Sequence, residues 1–374
     1  MKKERIARIQ DLVGLVHSLY PPALAEEWDN VGLQVGEPAA ELRNVLVCLD
    51  PSAKTLEAAA AVNAEAIVSH HPLLFRPLRS LTSTDETGRV VMGAVRAGIA
   101  ILSVHTNLDR GRSGLNDWLA ARLGVTEAKP LALGGDLLKL VVFVPAGYEN
   151  QVADALFAAG AGEVGRYDRC SFRSYGTGTF RPGSGTSPFL GRKGVTEAAR
   201  EIRLETILPR AAANRVVDKM IKAHPYEEVA YDLVPLANRR NDVGLGRIGR
   251  LVQTLTLVEF ALRVKASLAV DSVRLVGDPQ MRIGKVALCG GSGSSLLAEA
   301  IRQGADVLVT GDVKYHEAQN AASQGIALID AGHFATEHLM VAELSAVLQR
   351  EAEQKGLNIV FHEMKGESDP FRTI

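Results

Sequence analysis

The sequence predicts an α/β protein whose core domain carries parallel-type sheets covered by helices. That core is formed from N- and C-terminal halves and is interrupted by a smaller α+β insertion. Three observations lead there. With 374 residues the chain exceeds one ordinary domain of roughly 100–200 residues. Short apolar runs alternate with helical stretches up to about residue 130 and again after about residue 280. Residues 131–236 follow a different order of elements.

The first element is an amphipathic helix, with Ile6, Ile9, Leu12, Val13, Val16 and Leu19 at helical spacing and Pro21-Pro22 ending it. Apolar runs at 45–49, 66–68 and 99–102 read as strands, with helices at 54–62 and 90–97 between them. Near-continuous apolar strands joined by helices imply parallel strands covered on both faces. In the middle, a strand at 138–144, a helix at 150–159, a Gly/Ser/Pro-rich stretch at 176–194, a strand at 201–208, a helix at 211–222 and a strand at 229–234 follow. That β-α-β…β-α-β order predicts a ferredoxin-like module. The polar, Gly-rich stretch at 237–247 reads as a linker back to the core. Strands at 285–289, 306–309 and 326–329 and a closing helix at 335–355 complete the expectation. The domains are thus 1–130 with 237–374, and 131–236.

Charge and cysteine usage narrow the function. Lys plus Arg number 42 and Asp plus Glu 43, giving a net charge of −1, which disfavours a nucleic-acid partner. Cys48, Cys170 and Cys289 are too few and too dispersed for a disulfide framework or a thiolate zinc site. Arg8, Gln10 and Asp11 break any signal-peptide run, and no stretch approaches the ~18 apolar residues of a membrane span. The expectation is a cytoplasmic protein with no membrane partner.

The polar chemistry gathers where strands end. In open parallel sheets, ligands bind beyond the carboxyl ends of the strands. Here those ends carry His70-His71-Pro72, His105-Thr106-Asn107-Leu108-Asp109, Gly311-Asp312 with His316, and Asp330 with His333 and Glu337. One His beside an apolar strand is usually a structural residue, but four strand ends on one edge repeat the pattern. His333 and Glu337 stand i, i+4, on one face of a helix near its start. The adjacent His70-His71 pair cannot aim both rings at one point if extended, so two neighbouring ions suit it better than one. Imidazole and carboxylate without thiolate fit Zn, Fe, Mn or Co in an open site.

Ser69-His70-His71-Pro72, His105 to Asp109, Gly311-Asp312-Val313-Lys314-Tyr315-His316 and Gly332-His333-Phe334-Ala335-Thr336-Glu337, in that order, resemble the Nif-three-like family. Its members are also known as dinuclear metal centre hexameric proteins and are often named GTP cyclohydrolase 1 type 2 homologues. Trp28-Asp29-Asn30-Val31-Gly32-Leu33 is similar to the family's opening motif. The central segment, notably His224-Pro225-Tyr226-Glu227-Glu228, resembles the PII/CutA-like insertion of its longer bacterial members. The resemblance implies His70 and His71 as ligands of separate ions, Asp109 on the first ion, His333 on the second and Glu337 bridging them. His105, Asp312 and His316 are then substrate-facing candidates for catalysis or supports for the ligands. The resemblance also implies a toroidal homohexamer and a metal-activated water attacking a purine ring.

Other motifs are weaker. Gly244-Leu245-Gly246-Arg247-Ile248-Gly249 has the letters of a dinucleotide fingerprint but lacks a preceding strand, so it reads as a turn leading back into the core. The run 289–295, Cys-Gly-Gly-Ser-Gly-Ser-Ser, lies between a strand and a helix, which leaves a tight turn and a phosphate grip both open. It lacks a Walker lysine and does not match the G-x-S-x-G elbow. His224 to Glu228 reads as a helix end feeding a strand rather than a second metal site, and Arg166, Arg169, Arg173 and Arg181 read as a solvated basic face. Two functions stay open: a dinuclear metal-dependent hydrolase acting on GTP, another nucleotide or a phosphoester, and a metal-binding or regulatory protein without turnover.

Overall fold

The computed structural model describes residues 6–165 and 167–372; Arg166 of the basic cluster lies outside them. The chain divides into two compact units, one running to Gly134 and resuming at Asp242, the other spanning Gly135–Asn241.

The larger unit holds two large sheets of mixed direction, beside a short antiparallel pair of Ala7–Arg8 with Glu41–Leu42. In the first, the strands run in the order Val360–Glu363, Asn44–Cys48, Ala66–Ser69, Ala100–Ser103, Gly32–Val35. The first four are parallel, and only the Gly32–Val35 edge is antiparallel. Successive residues of these strands enter opposite cores. Val45, Val47, Ala66, Val68 and Leu102 pack with Leu12, Leu15 and Val16 of the Ile9–Leu19 helix and Leu344 and Leu348 of the Met340–Gln354 helix. Leu46, Cys48, Ile67 and Ile101 pack with Ala59, Val90 and Ala94 from the helices Ala53–Ala61 and Glu86–Ala97. Burial on both faces is why these strands carry unbroken apolar runs instead of alternating ones. Side-chain caps start the two covering helices: Ser52 accepts from Thr55 N and Asp85 from Gly88 N.

The second sheet has the order Arg274–Val276, Ala327–Asp330, Val307–Thr310, Arg282–Leu288, Gly244–Thr256, Val125–Leu133. Its three inner strands 282–288, 307–310 and 327–330 are parallel, and the rest are antiparallel. It too is apolar on both faces, with Phe260 and Val264 on one side and Leu297 and Ala300 on the other.

The glycine motif at 244–249 is not a turn, as the sequence suggests, but part of the long strand Gly244–Thr256 between two partners. Its glycines are there for close approach. A Cβ on Gly244 would stand 2.1 Å from Ala132 O, and one on Gly249 would stand 2.4 Å from Thr126 O. Between them Arg247 is fully buried. Its Nε and Nη2 grip the Asp117 carboxylate at 2.5 and 2.9 Å, and its remaining N–H groups satisfy Gly111 O, Gly244 O and Gly246 O. The polar linker accordingly shrinks to the few residues between Arg239 and Gly244. The closing helix also departs from expectation, breaking into His333–Glu337 and Met340–Gln354.

The Gly135–Asn241 unit is a four-stranded antiparallel sheet in the order Tyr231–Arg239, Asp136–Pro145, Glu197–Pro209, Ser171–Phe180. Helices Glu149–Ala158 and Ala213–Ala223 bury Val152, Leu156, Val216 and Met220 against Leu138, Leu140, Val142 and Leu204 of one face. Only the start of the Gly/Ser/Pro-rich stretch, 176–180, is strand, where Gly176 and Gly178 pair with Glu201 and Ala199. His224 is an internal fastener: its Nε2 donates to Phe143 O while its Nδ1 accepts from Tyr226 N.

Candidate metal centre

The larger unit brings together the carboxyl-end segments of both sheets. His70 and His71 follow Ala66–Ser69, His105 follows Ala100–Ser103, and Asp109 lies in the short helix Thr106–Arg110 behind it. From the other sheet, Asp312 follows Val307–Thr310, and His333 and Glu337 occupy the helix after Ala327–Asp330. His70, Asp109 and Glu337 are all buried.

Glu337 sits in the middle. Its Oε2 lies 3.0 Å from His71 Nε2 and 2.9 Å from His333 Nε2, and these two ring nitrogens are 3.4 Å apart. Its Oε1 faces the other way, 3.8 Å from His70 Nε2, which is in turn 3.6 Å from Asp109 Oδ1. Two groups have ligand atoms that all lie within 4.8 Å of one another and could hold a metal ion: His71, His333 and Glu337, and His70, His71 and His105. His105, expected only as a neighbour, is therefore at ligand range. Asp109 falls outside both groups but points its Oδ1 at His70.

Every imidazole is held by its far nitrogen. Nδ1 of His70 donates to Val104 O at 2.9 Å, Nδ1 of His71 to Asp50 Oδ1 at 2.7 Å, Nδ1 of His333 to Asp312 Oδ2 at 2.7 Å, and Nδ1 of His105 to Asp29 Oδ1 at 2.9 Å. With Nδ1 committed to these acceptors, Nε2 is the nitrogen of each ring left to ligate a metal, once any proton it shares with Glu337 is displaced. Asp312 adopts φ +55°, a left-handed conformation that Asp tolerates better than most side chains and that occurs at functional turns.

The donor set fits a cation. His70 Nε2 and Asp109 Oδ1 are buried side-chain atoms with no hydrogen-bond partner among the described residues. Buried polar atoms without partners are costly and rare, and a cation between them would satisfy both. The charges agree. Burial, followed by the negative charge of Glu337, pushes Asp109 up to about 7. Burial opposes ionisation of Glu337 as well, but hydrogen bonds from His333 and His71, with the His70 ring facing its other oxygen, hold it well below the usual carboxylate range. Burial disfavours charge on His71, yet its bonds to Asp50 and Glu337 outweigh that and raise it to about 10. Metal-free, the centre is a cluster of carboxylates that gathers protons where a cation could stand.

The glycine turn after Arg282–Leu288 is packed against this centre. A Cβ on Gly291 would lie 2.1 Å from Glu337 Oε1. The N–H groups of Gly290, Gly291 and Gly293 are already taken by Asn116 Oδ1, Thr336 Oγ1 and Thr310 Oγ1. Of the two readings of this run, the tight turn is the one built; these amides are not free to grip phosphate. His316 is not gathered in: it is exposed, with Gln319 Oε1 3.3 Å from its Nδ1 and Tyr315 edge-on, because it sits on the outer face of the Tyr315–Gln324 helix. Asp29 and Asp50 were not among the candidates. Asp50 ends one more strand on the same edge, which is the signal that could have found it, whereas Asp29 comes from the loop before Gly32–Val35 and follows no strand end.

Residues 7–370 match the family described as Duf34/NIF3 (NGG1p interacting factor 3). A protein of Halalkalibacterium halodurans named GTP cyclohydrolase 1 type 2 homolog is 41% identical over 372 residues, covering 99% of this chain and 100% of the relative. One of the same name from Bacillus subtilis is 40% identical over 364 residues, covering 97% of each. The crystal structure of a Bacillus cereus protein related to NIF3 superposes with a TM-score of 0.86 at 39% identity, covering 99% of this chain and 100% of that one. A Staphylococcus aureus structure follows at 0.79 and 29%, covering 99% of each chain. With a match from end to end of the fold, this chain belongs to the Duf34/NIF3 family.

Proposed function

We propose that this protein is a dinuclear metal-dependent hydrolase acting on a nucleotide or another phosphate-bearing small molecule. The observation that carries this reading is Glu337, one buried carboxylate with Oε1 toward His70 and Oε2 toward His71 and His333. A single-ion site has no use for that division. His70 and Asp109, with His105 at hand, would hold one ion, His71 and His333 the other, and Glu337 both.

Two divalent ions (Zn, Fe, Mn or Co) supply Lewis acidity and bring the pKa of water toward neutrality. The chain's own residues do the rest. Asp50, Asp312 and Asp29 keep the protons of His71, His333 and His105 on Nδ1. His105, whose Nε2 has no hydrogen-bond partner among the described residues, is placed to hold a substrate atom or carry a proton if it does not ligate the ion. A cavity of about 1210 Å³ among the described residues borders Asp50, His71, Asp312 and His333, with Arg122 and Arg274 on its wall, and is large enough for a nucleotide.

GTP is the first substrate to test, since it is what the relatives' names point to. The finer architecture belongs to the same proposal: the Gly135–Asn241 unit as a ferredoxin-like insertion, supported by its sheet order, and the whole as a cytoplasmic homohexamer. The test is to measure bound metal and GTP opening for wild type and Glu337→Gln. Two ions per chain with metal-dependent turnover, both reduced in the variant, support the reading. Metal without turnover across a panel of nucleotides and phosphoesters would leave a metal-binding protein instead.

A further inference from the structure

The chain has two tryptophans, and they differ in setting. Trp118 is part-buried against the cores of both sheets of the larger unit. Trp28 is 59% exposed, and Phe75 beside it is 47% exposed. Large aromatics are ordinarily buried, so an exposed pair in mutual contact needs a reason.

Their surroundings supply one. Trp28 meets Phe75 edge to face at 5.7 Å and His105 edge to face at 6.1 Å. His105 in turn packs 5.1 Å from His70 and 5.6 Å from His71. The aromatic pair is thus continuous with the imidazoles of the centre. It is also held rigid. Asn30 Nδ2 donates to Leu74 O at 2.5 Å, and Gln34 Oε1 accepts from Leu74 N at 2.9 Å, tying the Trp28 loop to the Phe75 loop. Asp29 fixes the other side, taking the Nδ1 proton of His105 and the N–H of Thr106. Among the described residues no ring lies parallel on the indole, so a stacking position on it is open.

We propose that Trp28 and Phe75 form a stacking shelf for a planar nitrogen heterocycle of purine size, whose polar edge meets His105 Nε2. An apolar ring or a second protein surface would gain nothing from the imidazole at the end of the shelf. A heterocycle uses both: its face stacks on the aromatics and its edge nitrogens or oxygen meet the polar group. Base–aromatic stacking tolerates any base, so the shelf selects flat heterocycles as a class and leaves discrimination among them to the edge contact. The inference rests on the hydrolase reading for its substrate class, but its test does not depend on turnover.

The test uses full-length, metal-loaded protein carrying Trp118→Phe, so that Trp28 is the only indole. Guanosine and inorganic tripolyphosphate are titrated separately, and indole fluorescence is followed. Saturable quenching by guanosine but not by tripolyphosphate is expected. Phe75→Ala in the same background should weaken guanosine about tenfold to a hundredfold, with metal content and oligomeric mass unchanged. Equal quenching by the two probes, no quenching by either, or an unaltered guanosine affinity in Phe75→Ala would overturn the shelf. So would a Trp28→Ala protein that loses its oligomeric state, because another copy would then be the occupant. If GTP is turned over with KM unchanged in Trp28→Ala, the shelf fails and the hydrolase stands. If guanosine quenches and nothing is turned over, the shelf stands and the hydrolase fails.

Discussion

Glu337 and the carboxylates behind the histidines have different duties, and substitution separates them. Glu337→Gln removes the carboxylate whose Oε1 faces His70 and whose Oε2 faces His71 and His333, so metal content should fall on both sides of it, read by elemental analysis after dialysis. Asp50→Asn or Asp312→Asn leaves every ligand atom in place and takes away only the negative charge of the acceptor that fixes an Nδ1 proton. Each should weaken metal binding by about 10–100-fold without abolishing it. A loss as complete as that of Glu337→Gln would mean that the carboxylate itself ligates. The histidine outside the centre gives a pH prediction. Burial lowers the pKa of His224 below its ordinary 6.5, against a smaller opposing effect of its bond to Phe143 O. Above pH 6.5 the ring is neutral folded and unfolded, so it contributes no slope. As the pH falls through 6.5 the unfolded chain takes a proton that the folded one resists, and the stability of the 135–241 unit falls. With one proton linked, the loss is at most about tenfold in the unfolding constant per pH unit. Hydrogen exchange of the Asp136–Pro145 amides should steepen below that pH in wild type and less so in His224→Gln.

At the scale of elements, the turn at 290–293 and the strand at 244–256 show how glycine serves proximity. Gly291 has φ +61° and leaves no room for a Cβ beside Glu337. Gly291→Ala should therefore cost about 1 kcal/mol for the backbone alone, and it should also displace Glu337. Metal affinity is expected to drop further than the shift in thermal midpoint suggests; an intact metal content would show that the carboxylate can give way. These elements also mark what the sequence could and could not convey. The parallel strands were legible because burial on both faces forces an unbroken apolar run, as in Ala66 to Ser69. The gathering of these candidate ligand residues was legible because four strand ends repeat one chemistry. The strand Gly244–Thr256 was not, because its glycines resemble a turn until the backbones on either side of it are known. Nor was the exposure of His316, since facing inward or outward on a first helical turn depends on what packs there. Asp50 shows the remaining gap: its role lies in a 2.7 Å contact to His71, across two strands, that no spacing encodes.

At the scale of the whole molecule, the Gly135–Asn241 unit ends in two open edges. In its sheet, Tyr231–Arg239 and Ser171–Phe180 each have a partner on one side only. Both carry exposed apolar side chains: Tyr231, Leu233 and Val234 on one, Phe172 and Tyr175 on the other. Unprotected edges of this kind invite pairing with another chain, and proteins that remain monomeric blunt them with charge or bulges. The Tyr231–Arg239 edge has a register shift only between Pro235 and Arg239, past the apolar stretch. These edges are therefore where the proposed self-assembly has its means. Light scattering should give six times the 40.0 kDa chain mass if the hexamer forms. A lysine at Val234 would add charge to the edge while removing no buried contact, since that side chain is 46% exposed. Val234→Lys should lower the assembled mass yet leave the metal content per chain intact, because no metal-centre residue lies in this unit. A hexamer undiminished by that charge would assign assembly to the larger unit, and a loss of metal along with mass would mean that the centre is completed only in the assembly.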